Sequence, residues 1–217
     1  MSAANALQRA RLYAILDLGY VAPQRAEAIA GDLIRGGADL IQLRGKKESV
    51  EALARLAEKL HRLTSSAGVP LIINDHPEIA RDISAEGLHL GQDDLAIAAA
   101  HEIVGRHCWI GKSTHSLAQA VAAVAEGADY IGFGPLFATP TKPDYAPIGT
   151  EEIGRVHELV SLPIFCIGGI KLENLRVLLA AGAKRVVIVS GLLQSADIAA
   201  ATRAAKEVLA GKSEIRN

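Results

Sequence analysis

Eight short apolar runs, each followed by a longer stretch with helical spacing, set the strongest limit on how this chain can fold. The runs are Leu12–Leu16, Leu40–Leu43, Leu71–Ile73, Gly87–Leu90, Trp109–Gly111, Tyr130–Phe133, Ile164–Ile167 and Val186–Val189. The segments after them, such as Pro23–Arg35 and Val50–Ser65, repeat apolar residues at intervals that line one face of a helix. Gly-Ala pairs at Gly37-Ala38, Gly127-Ala128 and Gly182-Ala183 precede three of the runs. Glycine there reaches positive φ and ends a helix. Repeated eight times with short connections, this unit closes into a parallel barrel. The chain therefore reads as α/β, a single (β/α)8 TIM barrel spanning residues 1–217. An open doubly wound sheet is the alternative, disfavoured because no GxGxxG follows the first run.

Composition agrees with this reading. Half the residues are hydrophobic but only 4% are aromatic, as expected for aliphatic strands buried on both faces. With 23 basic and 24 acidic residues, the chain lacks the basic excess of a general nucleic-acid binder, yet a pocket for a small anion needs only a few local cations. Cys108 and Cys166 sit in apolar stretches and read as buried free thiols. No apolar run reaches the roughly 18 residues of a membrane span. The N-terminus lacks the long apolar region and small-residue cleavage site of a signal peptide. A cytoplasmic protein with small-molecule partners, and neither membrane nor nucleic acid, is expected. There is no linker, low-complexity tract or second domain, and the closing GKSEIRN reads as a frayed tail. Oligomeric state stays open, a homo-oligomer included.

In a barrel of this kind the chemistry gathers at the C-terminal ends of the strands, and unusual polar residues do fall there. The second run ends Gln42-Leu43-Arg44-Gly45-Lys46. Period-two alternation aims Gln42, Arg44 and Lys46 to one side, a fork and a point charge suited to a diphosphate. The third run ends Asn74-Asp75, and the fourth leads into Gln92-Asp93-Asp94. Carboxylates on neighbouring strand ends repel unless a cation lies between them. Mg²⁺ accepts one or two carboxylates plus phosphate oxygens and water, although Asp75 and Asp94 could instead cap the helices that follow. Ser113, after the fifth run, could bond a phosphate or cap a helix. The loop after the sixth run carries Thr139, Thr141, Lys142 and three prolines, the makeup of a lid or binding loop. Gly168-Gly169 after the seventh run and Val189-Ser190 after the eighth suit a phosphate monoester held by backbone N–H groups. Two anionic subsites thus share one mouth: Gln42, Arg44, Lys46, Asp75, Asp94 and Lys142 for a metal-bound diphosphate, and Gly169, Val189 and Ser190 for a monophosphate.

The sequence resembles the thiamine-phosphate synthase (thiamine-phosphate pyrophosphorylase) family. The matching segments are QLRGK at 42–46, IND at 73–75, GLHLGQDD at 87–94, GKSTHS at 111–116, ADYIGFGPLFATPTK at 128–142, PIFCIGGI at 163–170 and VVIVSG at 186–191. HLGQDD and GPLFATPTK are the specific ones. The resemblance implies a TIM-barrel transferase of thiamine biosynthesis. It would condense a pyrimidine diphosphate with a thiazole phosphate and release pyrophosphate. Asp75 and Asp94 would hold Mg²⁺. Gln42, Arg44, Lys46, Asn74, Ser113 and Lys142 would hold the pyrimidine diphosphate. Thr139, Thr141, Gly169, Val189 and Ser190 would hold the thiazole phosphate. The sequence departs from the family at Gly45, where Glu is usual, so the backbone there is expected to be looser. The related thiazole tautomerases carry a catalytic His where this chain has Pro135.

The reaction so implied is displacement at the pyrimidine's exocyclic methylene. It should be strongly dissociative, because an electron-rich aminopyrimidine stabilises the developing cation. Mg²⁺, Arg44, Lys46 and Lys142 would absorb the leaving charge and, with Ser113, form the expected catalytic set. No activated nucleophile is apparent: GxSxG is absent. His89 reads as a hydrogen-bonded core histidine, His115 as part of a helix start and His61 as a surface residue. The rivals are a thiazole tautomerase-like or other isomerase on a phosphate-binding barrel, and a non-catalytic binder of phosphate ligands. The first needs a base at a strand end and no diphosphate site. The second would tolerate loss of Asp75 or Asp94.

Overall fold

A computed structural model of the chain describes residues 3–139 and 146–211. Eight parallel strands close a barrel in sequence order, β8 returning to pair with β1. They are β1 (Leu12–Asp17), β2 (Leu40–Arg44), β3 (Leu71–Asn74), β4 (Gly87–Leu90), β5 (Trp109–Thr114), β6 (Tyr130–Phe133), β7 (Ile164–Cys166) and β8 (Val186–Ile188). The helices are α1 (Ala3–Arg9), α2 (Ala26–Gly36), α3 (Val50–Ala67), α4 (Pro77–Asp82), α5 (Ile97–Val104), α6 (Leu117–Ala125), α7 (Ile153–Leu159), α8 (Leu175–Ala180), α9 (Ser190–Leu193) and α10 (Ile198–Leu209). Every predicted run is a strand, so the (β/α)8 barrel stands as read. The predicted tail from 212 onward lies outside the described residues.

The pleat sorts each strand into an inner and an outer row. On β1, Tyr13 and Ile15 join the cluster inside the barrel while Leu12, Ala14 and Leu16 pack under the helices. Inside, Tyr13, Tyr130 and Phe165 stand edge to face, with ring centroids 5.4–6.1 Å apart. Burying each such side chain contributes about 1.5–3 kcal/mol. Gly111 is required by this packing, because a Cβ there would lie 2.1 Å from the Tyr130 ring.

Helix α1 was not anticipated from the sequence. Its Leu7, with Ala10 just beyond, is buried against the interior cluster, so the helix stoppers the N-terminal end of the barrel. Around the same end, an acidic residue stands immediately before each of β2, β4 and β6 and clamps the start of the preceding strand. Asp39 accepts from the N–H groups of Arg11 and Leu12, both at 2.9 Å, and from Lys206 Nζ at 2.6 Å. Glu86 accepts from Leu71 N–H at 2.8 Å, and Asp129 from Ile110 N–H at 2.7 Å. These strand-start donors would otherwise need another partner. His61 takes part: its Nε2 lies 3.3 Å from Glu86. It is a half-buried brace for that clamp, where a surface residue was expected.

Candidate active site

At the C-terminal ends of the strands one cavity brings together Gln42, Arg44, Asn74, Ser113, Thr139, Gly169, Val189 and Ser190. These residues come from six of the eight strands or the loops after them. Lys46 lines a neighbouring cavity that shares Asp17 and Arg44 with the first. Thr141 and Lys142 lie outside the described residues.

The β2 end explains Arg44. Parallel register sets Ile15 beside Gln42 and Asp17 beside Arg44. Arg44 Nη1 donates to Asp17 Oδ2 at 2.5 Å, and Gly19 N–H donates to Asp17 Oδ1 at 2.8 Å. Asp17 is buried and fixes the guanidinium while its remaining N–H donors stay available to an anion. The alternation carries Gln42 and Arg44 inward as expected, but it stops there. Strand β2 ends at Arg44, the chain turns at Gly45, and Lys46 pairs with the Asp75 carboxylate on the next strand end. A Cβ at Gly45 would come within 2.9 Å of Leu53 and 3.0 Å of Leu18. Two leucine side chains therefore pack where the family's usual glutamate would begin, and Gly45 is enclosed rather than loose.

Asp75 and Asp94 meet at the β3 and β4 ends, where the two carboxyls share a hydrogen bond. Neither caps a helix: the residues at those helix starts are His76 and Ala96. Burial pushes the Asp75 carboxyl above its usual range, and the neighbouring Asp94 adds to this against the opposing pull of Lys46. Burial acts upward on Asp94 too. There it is outweighed by the Gly91 N–H bond, the bond with Asp75 and the charges of Lys46 and Lys112, which leave it below its usual range. Asp75 also sits at φ 64, and the His76 N–H donates back to Asn74 C=O at 2.9 Å. The carboxylate is thus carried on a strained one-residue turn, the kind of backbone that persists where its surroundings force it. Among the described residues no group of three or more His, Cys, Asp or Glu side chains is assembled to hold a metal. Asp75 and Asp94 themselves line neither cavity, but a pair of carboxylates is the protein donor set that Mg²⁺ accepts when phosphate oxygens and water complete its shell.

Across the cavity the rim is built differently. Gly168 and Gly169 have φ 99 and 63, and a Cβ on either would strike the β6 loop at Pro135 or Ala138, 2.4–2.6 Å away. That loop is also bonded to the β7 end, Leu136 N–H to Ile167 C=O at 2.9 Å and Phe137 N–H to Gly168 C=O at 3.1 Å. The glycines were expected so that the backbone could approach an anion. In the structure they first let the two loops touch. Val189 and Ser190 follow β8 at the start of α9.

The cavity is also lined by Asp17, which the sequence reading did not single out, and by His89 and His115, which it weighed and left out of the site. His89 Nε2 lies 3.0 Å from Ser113 Oγ and its Nδ1 lies 3.2 Å from Tyr130 OH. It is hydrogen-bonded, as foreseen, but it faces the cavity. His115 donates from Nδ1 to Gly134 C=O at 2.5 Å and its N–H bonds Gln119 Oε1 at 2.7 Å, which joins the α6 start to the β6 loop. The cap of α6 itself is Ser116, so Ser113 does not cap that helix. Asp17 could have been found by the test that found Asn74 and Ser113, a polar residue closing an apolar run. Cys108 and Cys166 are free and buried, and burial pushes both thiols up to about 12, far from any nucleophilic role.

The family model for thiamine monophosphate synthase matches residues 12–192, a span that includes every described site residue named above. The chain belongs to this family. Its relatives include the thiamine-phosphate synthase of Chloroflexus aurantiacus, 41% identical over 89% of this chain and 89% of that one. The enzyme of the same name from Halalkalibacterium halodurans is 42% identical over 87% and 90%. Among solved structures, thiamine phosphate pyrophosphorylase from Pyrococcus furiosus superposes with a TM-score of 0.85 at 28% identity, covering 96% of this chain and 98% of that one. A 3-hexulose-6-phosphate synthase shares the fold at TM-score 0.67 and 18% identity, over 94% of this chain and all of that one.

Proposed function

We propose that the chain is a thiamine-phosphate synthase, joining 4-amino-2-methyl-5-(diphosphooxymethyl)pyrimidine to a (carboxy)ethylthiazole phosphate and releasing pyrophosphate. Family membership supports the reaction. The geometric observation that carries the residue roles is the meeting of Asp75, Asp94 and Lys46 at one rim, with Arg44 on the adjoining strand. Asp75 and Asp94 would hold Mg²⁺, which when bound neutralises diphosphate charge and so makes it a better leaving group.

The protein's own part is to position, neutralise and exclude water. Arg44, oriented by Asp17, and Lys46 face the diphosphate, and Lys142 is assigned to it as well. Gln42, Asn74 and Ser113 hold the rest of the pyrimidine half. Thr139, Thr141, Gly169, Val189 and Ser190 hold the thiazole phosphate. The methylene C–O bond breaks with its electron pair leaving on the diphosphate, and the thiazole nitrogen then donates its pair to the methylene carbon. No side-chain nucleophile is needed.

Incubation with both phosphorylated halves should yield thiamine phosphate by mass detection, with Mg²⁺ and not in EDTA. No product with metal present would overturn the function. A separate readout bears on the metal: Mg²⁺ with pyrophosphate should raise the melting temperature of the wild type and leave Asp75→Asn unmoved. An equal rise in both would remove Asp75 from the metal site.

A further inference from the structure

A continuous hydrogen-bonded chain crosses the floor of the cavity from β2 to β5. Gln42 Nε2 donates to Tyr13 OH at 2.5 Å, Tyr13 OH meets Tyr130 OH at 3.3 Å, Tyr130 OH meets His89 Nδ1 at 3.2 Å, and His89 Nε2 meets Ser113 Oγ at 3.0 Å. Both of its ends, Gln42 and Ser113, line the cavity. Both phenols are buried to 1% or less, and burial raises the pKa of each, so each keeps its one proton.

Counting protons gives the chain a direction. Tyr13 accepts from Gln42, so its own proton goes to Tyr130. Tyr130 then has one proton left, and it goes to His89 Nδ1. With Nδ1 accepting, a neutral imidazole carries its hydrogen on Nε2 and donates to Ser113. The Ser113 hydroxyl has accepted, so it must donate elsewhere. At the other end the Gln42 amide has committed Nε2 to Tyr13, which leaves Oε1 as its acceptor. The floor therefore offers an acceptor on one side and a donor on the other, the complement of a ring bearing an amino group and an acceptor nitrogen.

We propose that His89 is a positioning residue, held by Tyr130 in the Nε2–H tautomer so that the Ser113 hydroxyl turns its proton into the cavity and reads a ring-nitrogen acceptor of the aminopyrimidine. This rests on the function proposed above and deepens it. Neither Tyr130 nor His89 need touch the reacting carbon.

The test compares Tyr130→Phe, His89→Leu and His89→Gln with wild type. Steady-state kinetics are measured separately for each substrate, and melting curves establish that each variant is folded. Tyr130→Phe keeps the ring and its packing. It and His89→Leu should raise KM for the pyrimidine diphosphate roughly tenfold, the loss expected for one well-aligned hydrogen bond, with KM for the thiazole phosphate unmoved. His89→Gln, whose amide nitrogen can still donate to Ser113, should recover most of that loss. A purely structural role would move both KM values together and show no rescue. Nitrogen-15 spectra of the ligand-free protein give an independent readout, the His89 resonance being identified by its loss in His89→Gln. They should show Nδ1 bare and Nε2 protonated. A proton on Nδ1 at neutral pH, or variants within twofold of an active wild type, overturns this inference alone. A wild type that forms no product overturns the function and this inference together.

Discussion

The two ends of the barrel use the same residue type to opposite effect. At the N-terminal end Asp39, Glu86 and Asp129 each bond backbone N–H groups of a neighbouring strand. There a carboxylate first replaces the partner that the strand start lacks, with Lys206 beside Asp39 and His61 beside Glu86 as secondary braces. At the C-terminal end Asp17 and Asp75 pair with Arg44 and Lys46, and Asp94 leans on Asp75. There the compensation is by side-chain cations, which a more strongly charged ligand can recruit. Stability is therefore expected to rest on the first set and activity on the second.

Four measurements would break or sharpen that contrast. The largest effect should come from Asp75→Asn, which keeps a residue tolerant of positive φ but removes the charge. Turnover should fall by about a hundredfold or more with no loss of melting temperature, and a large melting loss would put Asp75 among the structural acids. Asp39→Ala should do the reverse. Losing its two backbone bonds should cost about 2 kcal/mol, roughly 4–8 °C in melting temperature for a domain this size, with kinetic constants unchanged. Arg44→Lys comes next: the planar fork held by Asp17 is lost while the charge remains, and KM for the pyrimidine diphosphate should rise roughly tenfold. The smallest effect concerns His157 on α7. Burial, with the charges of Lys184 and Arg185, holds its pKa down to about 4 from 6.5. A depressed histidine contributes stability that is whole above pH 6.5 and is lost as pH falls from there towards about 4. His157→Gln should flatten this part of the wild-type denaturation profile and leave the pH–rate profile unchanged in shape.

Much of this was legible in the chain. The eight apolar runs give the strands because parallel strands buried on both faces must be continuously hydrophobic, and a polar residue ending such a run is conspicuous. That is why Gln42, Arg44, Asn74, Asp75 and Ser113 could be picked out. What stayed hidden depended on pairing between distant segments. Asp17 takes on meaning only once register sets it beside Arg44. Lys46 left the strand-end comb because β2 stops one residue before Gly45, which alternation alone does not specify. Gly168 and Gly169 were read for an anion; their lack of Cβ also answers the approach of the β6 loop, a contact no local pattern announces. Helix α1 escaped because Ala3–Arg9 carries a single large apolar residue, Leu7, too little for a periodic signal. His89 looked like core because its strand is apolar, and its place in the floor shows only when Tyr130 and Ser113 flank it.

The stopper formed by α1 has a consequence for traffic. Beneath the cavity the rings of Tyr13, Tyr130 and Phe165 fill the interior down to Leu7. Among the described residues the way in and out is therefore the mouth at the strand ends, which both substrates and both products would share. A half that rests deep in that mouth would have to enter before the companion that covers it, and the two, once joined, would leave together.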